Sequence, residues 1–149
     1  MASDLTIAAL ARADLPVVGA LFEGHTGRPA DLDLLGSWMD EWPSAAARRE
    51  GTLVGYAVCK GFGPDIAEVA SLLVDPGARD QGIGSRLVTH VEGACRDRGA
   101  RAMVAVTSEG YEVAREKRSA RPMYERLGYR LILETSATSV MARTLERVG

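Results

Sequence analysis

The sequence predicts a mixed α/β fold, one sheet carrying helices on both faces. Three observations predict it. Short runs rich in Val, Leu and Tyr alternate with segments of helical apolar spacing. Their order reads β-α-α-β-β-β-α-β-α-β-β. Gly, Pro and Asp mark most of the junctions.

Residues 5–9 read as a short strand. Asp14 then caps a helix with Pro16 in its first turn, and Leu15, Val18, Leu21 and Phe22 form its apolar face. Residues 24–29 read as a loop. A second helix follows, with Leu32, Leu35, Trp38, Met39 and Trp42 on one side. Residues 45–49 form a strand, Glu50-Gly51 a turn, and residues 53–60 a stronger strand ended by Gly61, Gly63 and Pro64. Residues 66–74 are apolar apart from Glu68 and Ser71, which predicts a central strand buried on both faces. Asp75-Pro76-Gly77 ends it.

Ile83, Leu87, Val88, Val91 and Cys95 define the next helix, closed by Gly99. Residues 102–107 form another buried strand, and residues 108–118 are polar and irregular. Residues 120–127 give a short helix stopped by Gly128. Residues 129–134 and 138–144 form a closing antiparallel pair.

The 149 residues amount to one domain, 46% hydrophobic and 26% charged, as in ordinary globular proteins. Apolar runs are too short to span a membrane, and residues 1–10 lack the basic and apolar regions of a signal peptide. Cys59 and Cys95 are too few and too far apart in sequence for a disulfide framework, and no metal-ligand spacing is present. They read as small buried hydrophobes of a reducing cytoplasm. The net charge of -2 is uneven: residues 1–78 carry 5 basic and 11 acidic side chains, residues 79–149 carry 13 and 9. An anionic ligand on the second half and a cationic one facing the first would fit this, as would scattered surface charge. Neither half is basic enough for a nucleic-acid protein.

Arg79-Asp80-Gln81-Gly82-Ile83-Gly84 lies between a strand and a helix. Glycines there let a ligand approach the backbone, and a helix N-terminus attracts phosphate. A P-loop is excluded because Ile83 and Gly84, not Lys and Ser/Thr, follow Gly82. A dinucleotide fingerprint needs a glycine where Leu87 stands. A glycine turn with no ligand remains open on this segment alone.

Two motifs together resemble the GNAT superfamily of acyl-CoA N-acyltransferases. Arg79, Gly82 and Gly84 match its pyrophosphate loop, Arg/Gln-x-x-Gly-x-Gly/Ala, and Leu72-Leu73-Val74-Asp75-Pro76 resembles the strand before it. Residues 120–129, with Tyr124 and Leu127-Gly128-Tyr129, resemble its second signature. The likeness covers roughly residues 53–134 and is weaker at the N-terminus. It implies a mostly antiparallel central sheet, splayed at the strand that binds the acyl-CoA.

The likeness also implies acetyl-CoA as cosubstrate, held by Leu72, Leu73, Val74, Arg79, Asp80, Gln81, Gly82, Ile83, Gly84 and Ser85. Many members carry an Asn seven residues before the tyrosine; Lys117 stands there, so its contact is lost or taken by another group such as Ser119. Arg115, Lys117, Arg118 and Arg121 could meet a phosphate of the cosubstrate or simply solvate a loop.

Acyl transfer to an amine needs a neutral amine, donors for an oxyanion, and a proton for the thiolate. A free alkylammonium has a pKa of about 10.4. Glu68, an acid inside an apolar strand, is the candidate base; Glu109, Glu112 and solvent are the alternatives. A bulge at residues 72–74 would free a backbone N–H for the oxyanion. Tyr124 is the candidate acid, against a core aromatic beside Met123 and Leu127. His25 could line the acceptor site or be a plain loop histidine. Trp38 and Trp42 read as core, though one could wall the acceptor pocket.

The expectation is a cytoplasmic N-acetyltransferase acting by direct attack in a ternary complex on a small-molecule or peptide amine, with a homodimer left open. A CoA-binding or sensing domain without catalysis, and a nucleotide-binding module, are the rivals.

Overall fold

A computed structural model describes residues 4–108 and 120–145. Glu109, Glu112, Arg115, Lys117, Arg118 and Ser119 lie outside the described residues.

The strands are β1 (Leu5–Ala8), β2 (Ser44–Arg49), β3 (Thr52–Gly63), β4 (Ile66–Val74), β5 (Ala102–Ser108), β6 (Arg130–Glu134) and β7 (Thr138–Thr144). The helices are α1 (Leu15–Thr26), α2 (Leu32–Glu41), α3 (Ile83–Arg98) and α4 (Arg121–Arg126). The seven strands form one sheet in the order β1-β2-β3-β4-β5-β7-β6. Every neighbouring pair is antiparallel except β4 and β5. The mixed, mostly antiparallel sheet with helices on both faces is therefore as expected.

Each face has its own core. Ile83, Leu87, Val88, Val91 and Cys95 of α3 pack with Tyr124 of α4 against Ala57, Cys59, Ala67, Val69 and Met103 of the strands. Leu15 and Val18 of α1 and Leu35 of α2 pack on the opposite face against Ala46, Tyr56 and Val58. The α3 stripe is the one read from its spacing, and Gly99, at φ +117°, ends that helix.

Several local expectations change. Asp14 sits at the N-cap of α1, but its carboxylate accepts from the Ala11 N–H at 2.8 Å and from Arg48 at 2.6 Å rather than capping the helix. The Arg48 guanidinium accordingly holds the Asp14 carboxyl below its usual range. Residues 24–26 are helical, not loop, and α1 stops at Gly27, whose φ of +71° suits glycine. Strand β3 continues through Gly61, where a Cβ would come within 2.8 Å of Trp42 Nε1; packing, not a turn, explains that glycine. Trp38 and Trp42 part company: Trp42 joins the α3 core, while Trp38 packs on the α1–α2 side. The fold also brings together Cys59 and Cys95, far apart in sequence, and both are fully buried. Their hydrogen bond and burial push the Cys59 thiol up.

The largest correction concerns β4, which is not buried on both faces. Only Ala67 and Val69 are buried; Ser71 to Val74 are half-buried. Strand β4 pairs with β3 as far as Val74, but with β5 only from Ile66 to Val69. Beyond Val69 and Ala105 the two parallel strands separate. Past that point Leu72 and Val74 pack only partly on the α3 core, and Leu73 only partly on the α1–α2 core.

Candidate active site

The end of β4, past its last pairing with β5, lines a cavity of about 650 Å³. Its walls come from four places: Leu72, Leu73 and Val74 on β4, the loop with Ala78, Arg79, Asp80 and Gly82, the start of α3 with Ile83, Gly84 and Ser85, and α4 with Pro122, Met123 and Arg126. His25 of α1 and Ala120 complete it.

The loop is shaped by two residues in the left-handed region, Asp80 at φ +64° and Gly82 at φ +75°. For an L-residue such a conformation costs roughly 1–2 kcal/mol. Gly82 accommodates it freely, and Asp80 does so by the tolerance of Asp for this region. The turn ends with Gly82 as the N-cap of α3. The N–H groups of Ile83, Gly84 and Ser85 then belong to the first turn, where no intrahelical acceptor exists. A Cβ on Gly82 would have nothing within 4 Å, so the space before the loop is open. A Cβ on Gly84 would come within 3.1 Å of Met123 Sδ, which sets how closely α4 approaches. An open cradle of N–H groups at a helix start fits a pyrophosphate.

Arg79 folds back on its own loop. Its Nε donates to the Val74 carbonyl at 3.1 Å, and its Nη2 donates to His25 Nδ1 at 2.9 Å. That acceptor role fixes the proton of a neutral His25 on Nε2. His25 therefore belongs to the loop's support, and the helical extension of α1 carries it there. Gln81 points away from the cavity wall and accepts from Arg49 Nη1 at 2.6 Å.

A bulge does interrupt β4, but at Ala70 rather than at residues 72–74: Cys59 faces Val69 while Val58 faces Ser71. It falls one residue after the last pairing with β5. Two polar groups sit beside it. Ser71 Oγ and Tyr56 OH lie 2.8 Å apart, and Tyr56, fully buried, has its phenol pushed up to about 12 by burial. Thr107, on β5 past the split, has a buried Oγ1 without a hydrogen-bond partner among the described residues. Neither the bulge position nor Thr107 carries a signal in the sequence, since both depend on where β5 leaves β4.

Glu68 and Tyr124 are outside the cavity wall. Glu68 lies on the α1–α2 face of β4, its side chain 15% exposed, with Lys60 Nζ of the facing strand residue 4.0 Å away. Lys60 in turn stands 5.1 Å over the Trp38 ring. Tyr124 is buried on the opposite face, one residue from the cavity-lining Met123. Its ring meets Tyr129 edge to face, centroids 5.1 Å apart. Tyr129 donates to Glu92 Oε2 at 2.7 Å, and Arg143 stands 3.6 Å from the same carboxylate. Burial, then the Glu92 bond, push the Tyr129 phenol up. The aromatic after Leu127-Gly128 thus ties the end of α4 to α3. Among the described residues no group of three or more His, Cys, Asp or Glu is gathered to hold a metal, and no helix is long and apolar enough to cross a membrane.

The profile of the acetyltransferase (GNAT) family matches residues 18–129. No curated protein matches the sequence. Among solved structures, Ard1 from Thermoplasma volcanium superposes with a TM-score of 0.81 at 18% identity, over 97% of this chain and 99% of that one. The ribosomal-protein-S18-alanine N-acetyltransferase from Escherichia coli gives 0.78 at 20%, over 97% and 96%. A phosphinothricin acetyltransferase from Sinorhizobium meliloti, in complex with AcCoA, gives 0.78 at 20%, over 95% and 88%. At such identities these likenesses speak for the fold, and the family match covers three quarters of the chain, from α1 through Tyr129. The protein belongs to the GNAT family of acetyltransferases.

Proposed function

We propose that the protein transfers an acetyl group from acetyl-CoA to the primary amine of a small molecule or peptide, both substrates being bound together. The support is the separation of β4 from β5 directly beside an open helix-start cradle. The Sinorhizobium neighbour is described in complex with AcCoA, which supports the choice of donor.

Acetyl-CoA supplies an acetyl thioester when bound. The N–H groups of Ile83, Gly84 and Ser85, with the positive end of α3, hold its pyrophosphate. Arg79, bonded to Val74 and His25, braces the loop in that shape. The β5-facing backbone edge of Leu72 to Val74 bonds the pantetheine amides as an added strand. Ala70 and its neighbours offer a backbone N–H to the developing oxyanion. Glu68 takes the proton of the incoming ammonium, directly or through water. Tyr124 gives a proton to the departing sulfur. Cys59 and Cys95 are both buried against each other, so direct attack needs no acyl-cysteine.

Calorimetric titration with CoA, ATP and NAD tests the donor assignment. CoA should bind in preference to both nucleotides. Equal or tighter binding of ATP or NAD would replace this reading with a nucleotide-binding one.

A further inference from the structure

The sheet face beneath α1 and α2 is only partly covered. Those helices pack on β2, β3 and Leu73. Beyond them, register sets two rows side by side on the same face. One runs from Lys60 through Glu68 and Val104 to Arg130; the next is Val106, Val140 and Leu133. Val106 is 46% and Leu133 59% exposed, with Val140 half-buried between them. Three apolar side chains in register, left in water and edged by charge, are what a binding surface presents.

The strip also has a direction. Its inner end is the split between β4 and β5, past which Leu72 to Val74 of β4 line the cavity. Glu68, the acid of the first row, lies at that end, and the apolar row extends away from it. Cations stand at both ends of the first row: Lys60 Nζ 4.0 Å from Glu68, and exposed Arg130 at the far side.

Resting on the acetyltransferase reading, we propose that this strip is the acceptor subsite and selects monoamines with an apolar body over polycationic amines. The acceptor's ammonium meets Glu68, and its carbon skeleton covers Val106, Val140 and Leu133. A second ammonium on the acceptor meets the apolar row, where desolvation is unfavourable, or the cations at the row's ends, which repel it. The acidity of the first half of the chain, which pointed to a cationic acceptor, is therefore outweighed locally by what surrounds Glu68.

The experiment compares kcat/KM for 2-phenylethylamine, a peptide with an N-terminal leucine, and spermidine, each with saturating acetyl-CoA. The two apolar amines should exceed spermidine by roughly 10-fold or more, the scale on which an apolar pocket discriminates. Val106→Asp and Leu133→Asp alter exposed positions outside the catalytic and CoA-binding residues. Each should lower the apolar-to-polyamine ratio at least severalfold while leaving acetyl-CoA affinity unchanged. Spermidine as the best acceptor, or an unaltered ratio in both variants, overturns the inference alone. Failure to bind acetyl-CoA or to transfer to any amine overturns the acetyltransferase reading, and the inference with it.

Discussion

Val69 and Ala105 are the last residues at which β4 and β5 face each other. Two residues further on, β4 carries Ser71 and β5 carries Thr107, one bonded to Tyr56 and the other with its hydroxyl buried and unpartnered among the described residues. Antiparallel pairing on the outer sides, β3 with β4 and β5 with β7, continues past this point. The sheet therefore keeps its continuity while opening a slot at its centre. The loop and the start of α3 lie beside the end of β4 that this slot leaves unpaired.

Gly82→Val tests the loop. Its φ of +75° is strained for valine, and the branched side chain would enter the open space before the loop. The dissociation constant for CoA should rise at least tenfold, with the circular dichroism spectrum retained. Unchanged affinity in the folded variant would remove the loop from the binding site.

Tyr124→Phe keeps the ring, and with it the edge-to-face contact with Tyr129. Loss of the proton should lower kcat by roughly 10²-fold, a usual effect for a general acid. A fall of less than threefold, with chemistry rate-limiting, leaves Tyr124 a core residue.

Glu68→Gln preserves size beside Lys60 and removes the capacity to take a proton. The variant should bind CoA normally, lose much of its rate near neutrality, and partly recover at high pH as free amine accumulates. Equal loss at every pH assigns Glu68 to positioning; no loss returns the role to Glu109, Glu112 or solvent.

Tyr129→Phe leaves the buried Glu92 carboxylate without its phenol donor. Thermal unfolding should show a loss of about 1–3 kcal/mol. The phenol's pKa is raised on folding, so the unfolded chain loses this proton first. The stabilising contribution is complete below the unfolded value of about 10 and declines as pH rises above it. Wild-type stability should therefore fall at pH values above about 10, and the variant's should fall less steeply. Equal slopes would contradict the buried Tyr129–Glu92 bond.

Much of this was legible in the sequence because it is local. The α3 stripe from Ile83 to Cys95 is a matter of spacing, and the Arg79–Gly84 loop one of glycines at a helix start. The apolar run of β4 announced a central strand, yet it misreported the burial. Leu72 to Val74 pack partly on the two cores and partly wall a cleft, and composition cannot tell a cleft from a core. Whether His25 reaches Arg79, whether Cys59 meets Cys95, and where β4 bulges all depend on long-range register. Gly61 reads as a turn residue until Trp42 is seen to occupy the space its Cβ would need.

The central claim is that this site moves an acetyl group, and product stoichiometry tests it most directly. Acetyl-labelled acetyl-CoA and an apolar monoamine are incubated with the protein; free CoA thiol and N-acetylated amine are then counted together. One thiol should appear for each acetylated amine, with the rate at sub-saturating acetyl-CoA lowered in Gly82→Val. Tight binding of acetyl-CoA with neither product formed would contradict the account and leave a CoA-binding domain without catalysis.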